Sequence, residues 1–332
     1  MSRAAFTALL ASTLVAVGCE EVTSVPPDAP SPEVVKITWP RVAPPVAANF
    51  YAVAGSGLDD VVIVGSGGTI LRWNGSELVK QESGTTEDLH AVYVQSPTSA
   101  VAVGNDGIVL SWDGTSWGET PASHISQANL YGVWVSGNNV VAVGDKGVVV
   151  ALGPMFGGAA WEVVPTASPD TLYTVNYNGS EVLAFGVLGT VAHWNGTSFT
   201  RSSLSGYSKT IVGSERHGSS LNLVGLDGAL LTYNADGSVT TREGLPAVFL
   251  HGVGSTSAAT YVAGWDGVLG SVAASGTVTV YANVPERWLY GVYAADTDDK
   301  DNVWVVGTSG LILHGPPRPA DAGVLQAGGI AK

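Results

Sequence analysis

The feature that most restricts what this chain can become is one phrase written seven times. Ala100–Trp112 reads AVAVGNDGIVLSW, and related phrases begin at Val61, Val140, Val182, Leu221, Thr260 and Val303. In each, an apolar run ends in a glycine (Gly65, Gly104, Gly144, Gly186, Gly225, Gly264, Gly307), and a second glycine follows three residues later. Successive units are 39, 40, 42, 39, 39 and 43 residues apart. A period in this range, made of short strands and tight turns, is that of a propeller blade, a small sheet that buries its faces only against its neighbours. The expected fold is therefore all-β, a seven-bladed β-propeller of four-stranded antiparallel blades over residues 34–315. Length alone, 332 residues, suggests two domains, but uniform repeats argue for one closed ring.

Each unit also carries an upstream phrase that reads as strand one: Phe50–Val53, Leu89–Val92, Leu130–Val133, Leu172–Val175, Leu250–Val253 and Leu289–Val292, with Lys209–Val212 (KTIV) in the fifth. The apolar run before the first glycine is then strand two and the run after the second glycine strand three, joined by a Gly-x-x-Gly hairpin. Turns such as Trp112–Asp113–Gly114 and Trp194–Asn195–Gly196 lead into strand four. The last unit stops after its third strand. Val34–Trp39 (VVKITW) alternates like a fourth strand and is expected to pair there, closing the ring and removing a free edge.

Composition narrows the function classes. With 28 acidic and 14 basic side chains the net charge is −14, which repels phosphate backbones and argues against nucleic acid. The only cysteine is Cys19, so no internal disulfide can form. A short basic start and the apolar run Ala4–Val17 read as a secretion signal rather than a transmembrane helix. The segments expected are a lipoprotein signal (1–19), a Pro-rich tether (20–33), the propeller (34–315) and a disordered tail (316–332).

Ala16–Val17–Gly18–Cys19 resembles the lipobox of bacterial lipoproteins, which implies diacylation of Cys19 and an anchor in the cell envelope; Ala16 stands where leucine is usual. Glu20 after the cysteine, rather than aspartate, implies the outer membrane. Ser111–Trp112–Asp113–Gly114–Thr115–Ser116–Trp117 resembles the Asp-box of the neuraminidase repeat, one residue short of that motif. The apolar run, Val-Gly-x-x-Gly and Trp-ended strand together resemble propellers of the photosystem II stability and assembly factor type and their bacterial lipoprotein relatives. That resemblance implies the fold and leaves the activity open, since propellers host many functions.

Strand directions put the start of strand one and the Gly-x-x-Gly hairpin on one face, and both ends of the ring on the other. The second positions of the strand-one phrases, Tyr51, His90, Tyr131, Tyr173, His251 and Tyr290, with Thr210 in the odd blade, are expected to ring the channel mouth. Around them the hairpins carry Asp106, Asp145, Asp227, Trp265 and Asp266. Aromatics with carboxylates suit a sugar face or a basic peptide, while the same residues read equally as wedges between blades and turn formers. Trp265 has no counterpart in the other blades. Asp296, Asp298 and Asp301 form an acidic insertion whose oxygens could hold Ca²⁺ but lack the glycine and final glutamate of an EF-hand loop; a solvated loop is the plainer reading. No arginine triad with a Tyr/Glu pair, no Ser-His-Asp signature and no nucleotide loop is visible. The expectation is a monomeric, lipid-anchored, non-catalytic module that binds a protein or glycan and needs no cofactor; the alternative is a degenerate sialidase-like carbohydrate-active enzyme.

Overall fold

The computed structural model describes residues 33–36, 39–282, 287–296 and 301–315. Cys19, most of the tether, the tail and Asp298 lie outside them, as does the side chain of Asp301. Blade one is Phe50–Gly57, Asp60–Gly65, Ile70–Trp73 and Leu78–Gln81, paired antiparallel in sequence order. The same order repeats in sheets whose first strands are Leu89–Ser96, Leu130–Ser136, Leu172–Tyr177, Ile211–His217 and Leu250–Ser255. Blade seven supplies Leu289–Asp296, Asp301–Gly307 and Ile312–Gly315. The result is a seven-bladed propeller.

Its second strands explain their own sequence. Residues 60–65 are buried throughout because alternate side chains serve different seams: Val62 and Val64 pack towards blade two, Val61 and Ile63 towards blade seven. A strand covered on both faces reads as a continuous apolar run instead of an alternating one. The described residues contain seven apolar cores, one per seam between consecutive blades, so each blade is stabilised by its neighbours and the last seam carries the ring closure. That last seam is anchored by Trp304, fully buried beside Phe50 and Leu71.

The N-terminal segment closes the ring, through residues other than those expected. Glu33–Lys36 adds in parallel to Val278–Ala282, the last strand of blade six. The pairing with blade seven comes later: Arg41 bridges Leu313 antiparallel, the Val42 N–H donates to the Ile312 carbonyl and the His314 N–H to the Pro40 carbonyl, both at 3.0 Å. Between the two lies Trp39, 3 % exposed, set among Tyr261, Leu289 and Leu313 and edge-on to Tyr281 at 5.4 Å. Period-two alternation marks a segment as extended without naming its partner. Here the burial of one indole in the seam between blades six and seven sets where the chain crosses.

Candidate functional site

The hairpin face is built by one local device. In blade three the Gly144 N–H donates to the Val148 carbonyl, Val148 N–H to Asp145 and Asp145 N–H to the Asn129 carbonyl, each at 3.0 Å. A Cβ on Gly144 would overlap the Asn129 carbonyl, which is why that position is glycine in every blade. The second turn residue is left-handed throughout: Asp106 (φ 52°), Lys146 (54°), Leu188 (54°), Asp227 (58°), Asp266 (56°), Ser309 (55°) and Gly67 (61°). Aspartate tolerates this region better than most residues, so Asp106, Asp227 and Asp266 have a backbone reason for their identity. None of the three reaches the channel lining: Asp106 lies 3.3 Å from His124, Asp227 pairs with Lys209, and Asp266 is exposed.

The strand-one residues do converge. They line a central channel of about 890 Å³. Around its mouth ring centroids follow one another from His251 to Tyr290 (5.1 Å), Tyr51 (5.5 Å), His90 (5.5 Å), Tyr131 (5.2 Å) and Tyr173 (5.3 Å). The planes of Tyr51–His90, His90–Tyr131 and Tyr131–Tyr173 differ by 40°, 47° and 43°, close to the step of about 51° that separates blades in a sevenfold ring. The collar is open only at blade five. There the phrase sits two residues later than KTIV suggests: Ile211 pairs with Gly225 as Leu130 pairs with Gly144, so Val212 and not Thr210 holds the collar position. With no aromatic to mark the phrase, the valine of KTIV is the only guide to its register; Thr210 instead precedes the strand, which begins at Ile211.

The collar's electrostatics follow from burial and two neighbours. Burial raises the pKa of Tyr51, Tyr131, Tyr173 and Tyr290, keeping their phenols protonated at neutral pH. Asp88 accepts from the Tyr51 hydroxyl at 3.2 Å and adds to its shift, and Asp145 raises Tyr131 and Tyr173 further. Burial pushes His251 down to about 4, so it is a neutral ring at physiological pH. His90 Nε2 is held by Asn105 Oδ1 at 2.7 Å.

Asp88 was not singled out from the sequence, and its role exposes a second device. The residue before strand one staples the preceding blade: Asp88 accepts from Gly67 N–H (2.8 Å), Asn129 from Asp106 N–H (3.1 Å) and Asn49 from Ser309 N–H (2.9 Å). In blades six and seven the same position is Phe249 and Trp288, which have no such acceptor. Trp288 stacks on Trp265 at 5.0 Å and 13°, Trp265 meets Phe249 edge-on at 5.2 Å, and Phe249 touches His251 at 4.4 Å. Trp265 and Trp288 remain 37 % and 46 % exposed. Their signal in the sequence is a large aromatic at a position that is otherwise Asx or Thr, which shows only once the register of the first strands is known.

Other candidates have structural employment. The Asp113 carboxylate accepts from Thr115 N–H, Thr115 Oγ1 and Ser116 N–H at 2.7–2.9 Å, which hold it down to about 2. Trp112 and Trp117 flank that turn at 5.7 Å, so the Asp-box-like stretch shapes a hairpin. Asp296 accepts from the Ser257 N–H and hydroxyl at 2.8 Å, tying blade seven to blade six, and no group of three acidic, histidine or cysteine side chains fit to hold a metal occurs among the described residues. The arginines do not converge: Arg72 pairs with Asp60, Arg201 with Asp170 at 2.8 Å, and of the described arginines only Arg216 lines the channel, four residues below the collar position. Beside it Glu215 is raised by burial.

No protein-family model and no curated protein sequence matches the chain. Solved structures do match in fold. One, described as YCF48 bound to D1 peptide, superposes with a TM-score of 0.65 at 16 % identity, covering 88 % of this chain and 99 % of that one. The WD40 β-propeller domain of Doa1 superposes with a TM-score of 0.63 at 13 % identity, covering 85 % and 99 %.

Proposed function

We propose that this chain is a non-catalytic binding or assembly module of the bacterial cell envelope, lipid-anchored through Cys19, that receives a protein partner on its hairpin face. The observation that carries the reading is the aromatic collar at the mouth of a channel of about 890 Å³, continuous through Phe249 with a tryptophan pair that bridges blades six and seven and stays exposed. A concave pocket with mostly apolar lining and a few convergent polar groups is the kind of place in which proteins hold ligands. A propeller of the same fold has been solved with a peptide bound, which supports a protein ligand over a glycan. The scattered arginines, of which Arg72 and Arg201 are already paired and only Arg216 lines the channel, lend no support to sialidase-type chemistry. The anchor rests on the lipobox resemblance; alkyne-fatty-acid labelling that persists in Cys19→Ser would remove it.

The test is affinity capture from detergent-solubilised envelope with wild type and a Trp265→Ala/Asp266→Ala/Tyr131→Ala variant matched for thermal stability. A partner held by wild type and lost by the variant is expected. Equal recovery by both moves the site off the hairpin face.

A further inference from the structure

Resting on the reading that the hairpin face receives a protein, we propose that the partner contributes an extended segment whose arginine or lysine side chain enters the aromatic collar, with an apolar or aromatic residue of the same segment lying on Trp265 and Trp288.

Three independent features point there. The first is a departure from the repeat. At the position before strand one, Asn49, Asp88 and Asn129 staple adjacent blades through their side chains, blades four and five carry the small Thr171 and Thr210, and blades six and seven alone place large aromatics there, Phe249 and Trp288. At the first turn position, Trp265 stands where other blades have residues such as Ser66, Asn105 and Asp145. Two adjacent blades that leave a stacked pair of indoles 37 % and 46 % exposed to solvent are shaped for something outside themselves.

The second feature is the collar's chemistry. The protonated tyrosine phenols and the neutral His251 ring present π-density and phenol oxygens, no lysine or arginine stands among the collar positions, and two carboxylates lie at the same mouth: Asp88 accepts from the Tyr51 hydroxyl and Asp145 raises Tyr131. A guanidinium or ammonium entering the mouth meets aromatic faces and two carboxylates together, the setting in which cation–π attraction is strongest. An anionic or phosphorylated segment would meet carboxylates instead. The basic groups on this face do not reverse that: Lys209 is paired with Asp227, Lys146 is exposed beyond Asp145, and Arg287 lies outside the channel lining beside Trp288.

The third is reach. From Trp265 to the collar there are two ring-to-ring steps, 5.2 Å to Phe249 and 4.4 Å to His251. About three residues of extended chain span that distance. The segment should therefore carry its basic residue two to four positions from its apolar one.

An array of random ten-residue peptides, probed with the labelled full-length chain, tests this. Wild type should select peptides with arginine or lysine two to four positions from an apolar or aromatic residue. The Asp88→Asn/Asp145→Asn variant, whose amide oxygen can keep the staple to Gly67 N–H, should bind those peptides at least tenfold more weakly, and Trp288→Ala should lose the apolar preference while retaining the basic one. Selection of neutral or acidic peptides that still depend on Trp288 would overturn the basic-side-chain assignment and leave the protein-binding reading standing. Basic selectivity unchanged in the Asn variant would also overturn it. No peptide selected, with binding only to a glycan array or only between copies of the chain, would overturn both.

Discussion

Replacing His251 by phenylalanine should change how stability depends on pH, and the size of the change follows from its surroundings. His251 is mostly buried in the channel wall, between Phe249 at 4.4 Å and Tyr290 at 5.1 Å, and burial pushes it from 6.5 to about 4. Above pH 6.5 the ring is neutral in both native and unfolded chains, so it contributes no pH dependence. Below 6.5 the unfolded chain takes up a proton first, and the native state loses stability relative to it until the native ring titrates near 4. That amounts to about 2 kcal/mol at pH 5 and about 3 kcal/mol at pH 4. Glu215 has the opposite slope, its carboxyl being raised by burial, while Asp113, Asp170 and Asp236 are lowered by hydrogen bonds. All are common to both proteins and cancel in the comparison. Urea unfolding followed by tryptophan fluorescence at pH 7 and pH 5 should show the gap between His251→Phe and wild type moving by about 2 kcal/mol in the variant's favour. Parallel profiles, with the gap moving by less than about 0.5 kcal/mol, would refute the argument that the collar histidine is held neutral by desolvation.

Trp39→Ala should cost about 3–5 kcal/mol by opening the seam between blades six and seven, whereas Val34→Ala, at a side chain 63 % exposed, should move the thermal midpoint little. Leu188 holds a left-handed conformation at φ 54° with 66 % exposure, so Leu188→Asn should stabilise by about 1 kcal/mol and raise the melting midpoint by roughly 2–4 °C. Asp113 should titrate near pH 2 in a carboxyl-carbon NMR titration and move upwards in Thr115→Val, which removes the hydroxyl donor that does most to hold its carboxyl down. The turn it caps is accordingly expected to loosen as pH falls from the ordinary carboxylate range towards 2.

The sequence made the ring legible because each blade repeats the same physical necessities. A continuous apolar second strand is demanded by burial on both faces, a first glycine by a neighbouring carbonyl, and a left-handed turn residue by the hairpin, so all three recur at fixed spacing. The collar was legible for the same reason, one aromatic per strand-one phrase, and its register slips by two residues where blade five offers Val212 instead of Thr210. What could not be read is whatever occurs once. The partner of Val34–Trp39 depended on where Trp39 could be buried, which alternation does not encode. The pairing of Trp265 with Trp288 joins a turn of one blade to the linker of the next, 23 positions apart and in no repeat. Asp88 looked like an ordinary linker residue until its bonds to Gly67 and Tyr51 were seen.

Amide hydrogen exchange on the chain, free and saturated with the partner retained by affinity capture, tests the central claim most directly. The account predicts added protection at the hairpin-face segments Trp265–Gly267 and Arg287–Leu289 and around Tyr131, with the opposite face unchanged. Protection confined to the outer turns at Trp73–Gly75 and Trp112–Thr115, with the collar exchanging as freely as before, would contradict it.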